Sequence, residues 1–476
     1  MNRRKFLGSA LACFALKGLP FAEEAIKSLE KGEELFPQGV ASGELTSRSV
    51  LLWTRVTRPD AAVRLRLLDA KKRTVREAVL KPGPFGTVKL RLKGLKPGER
   101  YFYLFEALGT QTGGTFKTLP EEPERLKIAL VTCQNYENGF YAAYEGLAAE
   151  ELDLVVFLGD RIYERLFYDG VRPYRPELPS GGTVCLTEED YAYLYKLYLS
   201  DESYKKARAL QSFLYLWDDH EYANDYAFDY ERGFYRLPGH PYELKREETL
   251  RLRRAAVRVW EAFTPRRLKK LPPPFYGTTY ASFKLGSLGR LVVTDERSFR
   301  DLQPYYGREP KTMLGEEQKR WFFNELGQEK GWFLWANEVL FSPLKRPRRK
   351  DLDSWNGYAR ERDEIIKRFA GKKVLVLTGD RHAAMLWSHP WGTEVVAPPL
   401  SSFNGLDRYR RKGGPDPQIT ETRELKENES LKWVSHQLWG YAVVTLGRST
   451  AEVSFYFADK HFPRSPVRLV KRFTCV

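Results

Sequence analysis

The residues able to do chemistry stand at the ends of apolar runs. Cys133, Gln134 and Asn135 follow "IALVT", and Asp160 and Tyr163 follow "VVFLG". Asp218, Asp219 and His220 follow "LYLW", Asp295 and Arg297 follow "LVVT", and Asp380 and His382 follow "VLVLTG". Gly-Asp-Arg closes two of these runs, at 159–161 and 379–381. The flanks diverge at once, into "IYERLF" and "HAAMLW", so the two stretches are not a repeat. Glycine lets the chain turn tightly there, and aspartate presents oxygen to something cationic. Carboxylates suit hard cations, whereas imidazole and thiolate suit transition metals. Carboxylates packed together without a cation repel and raise one another's pKa. A dinuclear metal site removes that repulsion and gives phosphoryl chemistry a clamp.

Such donors need a scaffold that gathers them. Ligands of open α/β sheets bind outside the carboxyl ends of the strands. Five strands are therefore expected to bring these donors to one edge, with the two Gly-Asp-Arg stretches as two walls of one crevice. Between the apolar runs lie helix-like stretches such as "LKREETLRLRRAAVRVWEAF" and "GEEQKRWFFNEL". Continuous apolar strands alternating with helices predict a sheet buried on both faces, with α/β layering. From Phe36 to Thr118 the texture differs. "SVLLWTRV", "TVKLRLKGL" and "RYFYLFEAL" alternate apolar with polar, and "LKPGER" supplies a turn. This predicts a small antiparallel β-sandwich of immunoglobulin or fibronectin type. The expected organisation is a signal at 1–22, the β-sandwich at 36–118, a Pro- and Glu-rich linker at 119–126, a catalytic domain at 127–460 and a tail at 461–476.

The N-terminus has a secretory layout: Arg3, Arg4 and Lys5, then an apolar stretch from Phe6 to about Leu16. The Arg3-Arg4 pair resembles a twin-arginine signal, which makes the twin-arginine (Tat) translocation machinery a partner and the periplasm, cell envelope or medium the destination. The run is short of the roughly 20 residues a membrane span needs. With Cys13 in that segment, Cys133, Cys185 and Cys475 are the cysteines that remain. The net charge of +16 favours anionic partners, such as phosphate esters or an anionic envelope polymer, and equally suits the charged surface of a heat-adapted protein. Charge alone names no substrate.

Read in order, "VTCQ", "GDRIYE", "WDDHE", "TDERSFR" and "LTGDRH" resemble the PhoD-like alkaline phosphatases, secreted relatives of the calcineurin-like and purple acid phosphatases. The resemblance runs from Arg3 to the last strands. It implies an α/β fold: a layered β-sandwich metallophosphoesterase core with flanking helices, preceded by an immunoglobulin- or fibronectin-like β-sandwich domain. It implies iron(III) (Fe3+) on Cys133, Asp160, Tyr163 and His382. It implies calcium (Ca2+) on Asp160, Asp219 and Asp380, with Asp160 bridging and Asn224 as a further candidate. His220 would contact phosphate or protonate the leaving oxygen. Arg297 and Arg161 either grip phosphate in bidentate fashion or pair with neighbouring carboxylates. The expected activity is hydrolysis of phosphate monoesters or diesters. Two alternatives are a diesterase acting on nucleic acid or teichoic-type polymers, and a non-catalytic phosphate-binding envelope protein. No stable nucleic-acid complex is expected.

Overall fold

A computed structural model describes residues 21–167, 170–345 and 351–475. The twin-arginine pair lies outside the described residues. Two large mixed sheets organise the chain. The first has nine strands, in the order Arg468–Cys475, Ala451–Phe457, Gly440–Gly447, Arg125–Val131, Leu154–Phe157, Ser212–Tyr215, Val40–Gly43, Ser49–Arg55 and Thr87–Lys93. The second has seven, in the order Ala281–Lys284, Gly289–Val293, Trp332–Asn337, Lys373–Thr378, Gly392–Val396, Ala384–His389 and Leu431–Ser435. At the centre of each sheet the strands run parallel.

Burial explains the apolar runs. Ile128, Leu130 and Val156 of the first sheet share one core with Leu291, Leu334, Leu375 and Leu377 of the second. On the far face of the first sheet, Val155, Phe157 and Tyr215 pack against Leu147, Tyr195, Leu210 and Val259. These come from helices Ala143–Ala149, Glu188–Leu199, Glu202–Leu210 and Arg246–Phe263. On the far face of the second sheet, Phe333, Trp335 and Val376 pack against Phe322, Leu326 and Ile365, from helices Glu316–Gln328 and Ala359–Arg368. The five donor-bearing strands therefore belong to two facing sheets, not to one edge of a single sheet. A strand covered by helices on one face and a second sheet on the other reads like a strand covered by helices on both.

The region 36–118 shares its framework with the rest of the chain. Strands Val63–Leu68, Thr74–Leu80, Arg100–Ala107 and Thr110–Lys117 form a four-stranded antiparallel sheet. Its Leu65, Leu67, Tyr103 and Phe105 pack on Val50, Leu52 and Val88. Those three belong to the nine-stranded sheet, because Ser42 and Gly43 pair in parallel with Ser212 and Phe213. Joining the sheets removes an exposed edge of open backbone groups. The segment 461–476, expected to be a tail, carries the edge strand Arg468–Cys475, paired along Ala451–Phe457 with a bulge between Phe455 and Tyr456. Phe473 packs there against Trp433 and Phe455.

Candidate metal centre

Gly159 approaches Asp218 so closely that a Cβ on it would lie 2.4 Å from the Asp218 Cβ, and its φ is +101°. A Cβ on Gly379 would lie 2.6 Å from the Thr132 hydroxyl and 3.0 Å from the Leu158 carbonyl. Glycine is thus required at both positions: Gly159 lies against Asp218 at the end of the neighbouring strand of its own sheet, and Gly379 lies against Thr132 and Leu158, where the second sheet meets the first. The residues beside them are held in the left-handed region: Cys133 (φ 52°), Asp160 (60°), Asp380 (57°) and His382 (52°). For side-chain-bearing residues that conformation costs about 1–3 kcal/mol each, and such strain gathers at functional sites.

Three donor groups overlap here, the ligand atoms of each lying within 4.8 Å of one another: Cys133, Asp160 and His382; Asp160, Asp219 and His220; Asp218, Asp219 and Asp380. Tyr163 joins the first group. Its hydroxyl donates to Asp160 Oδ2 at 2.9 Å and lies 3.1 Å from His382 Nε2. The other imidazole nitrogen, Nδ1, lies 2.6 Å from the Phe403 carbonyl, which leaves Nε2 to face the site. His220 Nδ1 lies 2.6 Å from Glu164 Oε2, and the ring packs tilted against Tyr163 with centroids 4.1 Å apart.

Electrostatics set the group apart from an ordinary core. Burial raises the carboxyl pKa values of Asp160, Asp218 and Asp380 well above the usual range, and neighbouring carboxylates add to the rise. Burial and then Asp160 push the Cys133 thiol and the Tyr163 phenol up as well. Asp219 goes the other way: against the cost of burial, Arg297 and His220 hold its carboxyl below the usual value. Burial opposes a charge on His220, yet Glu164, Asp160 and Asp219 hold its pKa well above the usual one. Burial lowers His382 to about 4, which keeps its imidazole neutral and able to donate a lone pair.

The structure brings together Cys133, Asp160, Tyr163, Asp219, His220, Asp380 and His382. Arg161 is elsewhere. Its guanidinium donates to the Phe263 carbonyl and the Thr264 hydroxyl, between the rings of Tyr195 and Tyr215. The expected catalytic role is corrected to packing: the chain turns at Asp160, so the next side chain leaves on the opposite side. Of the two roles open to it, Arg297 shows the pairing with carboxylates. It is wholly buried and donates to Asp218, to Asp353 (2.6 Å) and to Asp380 (2.8 Å), with Asp219 at 3.6 Å. Four carboxylates claim it, and it serves as their internal counter-ion. Asn224 donates its backbone N–H to Glu164, and its side chain packs against Gly239. Asp295 caps the short helix Glu296–Phe299 and binds Trp217 and Thr278.

Sequence reasoning missed several members. Glu221 accepts the backbone N–H groups of Asp160, Arg161 and Asp218, which locks two of the motifs together. Glu164 orients His220. Both glutamates stand inside the motifs "GDRIYE" and "WDDHE", where they were visible. Asp353 and Ser402 carry no such signal, because only the fold brings them near.

The chain is a phosphoric ester hydrolase with a mixed α/β fold, and it belongs to the PhoD-like phosphatase family. The family's phosphatase domain matches residues 128–455 and its N-terminal domain matches residues 22–120. The chain is 31% identical over 484 residues to "Alkaline phosphatase D" of Bacillus subtilis (strain 168), covering 91% of this chain and 80% of that protein. The solved "Structure of PhoD" is 27% identical, covers 92% of this chain and 90% of its own, and superposes with a TM-score of 0.80.

Proposed function

We propose that the chain is an exported alkaline phosphatase that hydrolyses phosphate monoesters and diesters at an iron–calcium centre. The carrying observation is that Asp160 belongs at once to a thiol–imidazole group and to a group containing Asp219. That second group also holds His220, and through Asp219 it meets the oxygen-only group Asp218, Asp219 and Asp380, the set suited to calcium. Cys133, Asp160, Tyr163 and His382 would hold the iron. Asp160, Asp219 and Asp380 would hold the calcium. The residues fit cations: buried acids crowd together, and Asp218 Oδ2 is buried without a hydrogen-bond partner. When bound, the metals would neutralise phosphate and lower the pKa of a water, supplying hydroxide at modest pH.

The protein's own groups do the rest. Arg297 braces Asp218, Asp353 and Asp380 at fixed spacing, so the acids do not splay apart. Glu164 holds His220 by Nδ1, and the imidazole's other nitrogen can pass a proton to the departing alkoxide. The Phe403 carbonyl fixes the tautomer of His382. We read the strands of 36–118 as an immunoglobulin- or fibronectin-like module and Arg3-Arg4 as the address for the twin-arginine machinery. An envelope phosphate polymer is consistent with the +16 charge. The test is hydrolysis of p-nitrophenyl phosphate before and after EGTA. Activity should vanish and return with calcium; full activity after verified calcium removal would contradict the mixed-metal reading.

A further inference from the structure

Lys460 lies beyond the stretch matched by the family's phosphatase domain, which ends at residue 455. Its side chain is wholly buried. The ammonium donates to the Ser401 carbonyl at 3.0 Å, the Ser402 carbonyl at 3.4 Å and Asp407 Oδ2 at 2.6 Å. Its stem runs along Gly139, where a Cβ would lie 2.7 Å from the lysine Cβ and Cδ. Its backbone carbonyl accepts from Phe140 N. Trp439 closes over it, with the ring centroid 4.8 Å from Nζ, and donates its indole N–H to the Ser402 carbonyl.

The segment so gripped reaches the proposed iron ligands from three sides. The Ser402 hydroxyl lies 2.7 Å from the Tyr163 hydroxyl and 2.7 Å from the Cys133 carbonyl. Ser401 N and Ser402 N donate to the Cys133 carbonyl. The next residue, Phe403, supplies the carbonyl that orients His382.

We propose that Lys460 is a positioning residue for the metal centre: it holds the 401–403 segment, through which Ser402 and Phe403 aim Tyr163, Cys133 and His382. This rests on the assignment of those three residues as metal ligands. Partners that orient metal ligands are worth about 10–100-fold in metal affinity. A buried ammonium also stabilises the fold, so the test must separate the two roles. Lys460→Met alone leaves Asp407 buried without its ammonium partner. The double variant Lys460→Met/Asp407→Asn removes both charges and the grip on the carbonyls. Arg290→Met breaks an ion pair with Glu325 and Glu329 at the opposite end of its strand.

The readout is the rate at which EDTA strips metal from the purified holoprotein, followed by elemental mass spectrometry, with the absorption spectrum and melting temperature alongside. The double variant should release metal about tenfold or more faster, with a shifted spectrum, and Lys460→Arg should recover part of the loss. Arg290→Met should melt earlier with wild-type release and spectrum. Wild-type release and spectrum in the double variant would overturn the proposal, provided Cys133→Ser and His382→Ala do lose metal. If those two keep their metal, the ligand assignment is what fails.

Discussion

Arg297→Met removes the cation that Asp218, Asp219, Asp353 and Asp380 share, leaving Asp353 its second partner, Arg300. Methionine keeps most of the stem's volume, so the loss is electrostatic rather than a cavity. Removing one partner of a buried ion pair costs about 3–5 kcal/mol, because the other charge is left uncompensated. Unfolding entropy is about 2.1 cal/mol/K per residue, or about 1 kcal/mol/K for 476 residues. The variant should therefore melt about 3–5 °C below wild type, measured by calorimetry in EGTA at neutral pH. Calcium should narrow the gap, because a divalent ion can replace part of the lost charge. Acid should narrow it too. Arg297 holds the Asp219 pKa below its unfolded value, so that stabilisation is present above about pH 4 and is lost as pH falls through the folded pKa. The variant has less of it to lose. Identical melting in EGTA at neutral pH would show that these carboxylates are not charged and paired as described.

Gly159→Ala should cut turnover of p-nitrophenyl phosphate by about tenfold to a hundredfold, because the new Cβ must displace Asp218 and small misplacements of site residues are costly; wild-type turnover would show that the close approach does not matter. Lys89 is buried against the carbonyls of Glu261, Thr264 and Arg266, and burial lowers it to about 8. The unfolded chain therefore binds more protons between about pH 8 and 10.5, so stability should rise across that window and Lys89→Met should flatten the rise in urea titrations. Changing Arg3 and Arg4 to lysine should leave the protein in the cytoplasm, and normal export of that variant would refute the twin-arginine reading.

Much of the site was legible because chemistry at strand ends is local in sequence. The apolar runs announced the strands, and the abrupt change to Cys133, Asp160, Asp219 and Asp380 announced the edge. What the pattern hid was which sheet each strand joins. Lys373–Thr378 and Leu154–Phe157 look alike because each is buried on both faces, yet they lie in different sheets. Helices Gly405–Lys412 and Pro417–Glu427 escaped notice because each buries few apolar side chains. The arginines show the limit of motif reading. Arg161 and Arg381 follow the same Gly-Asp pair, but Arg161 is sealed between two tyrosines and Arg381 lies 3.7 Å from Asp351. Asp353 and Lys460 gain their meaning only from contacts with residues far away in the chain.

The most direct test of two different metals sharing Asp160 is elemental mass spectrometry of the purified wild-type protein together with its visible spectrum. Iron and calcium should both be present, with a visible band from thiolate and phenolate donation. Cys133→Ser and Tyr163→Phe should weaken that band, and Asp219→Ala should lose calcium while keeping it. A colourless, fully active protein containing only zinc would contradict the assignment of Cys133 and Tyr163 as iron ligands.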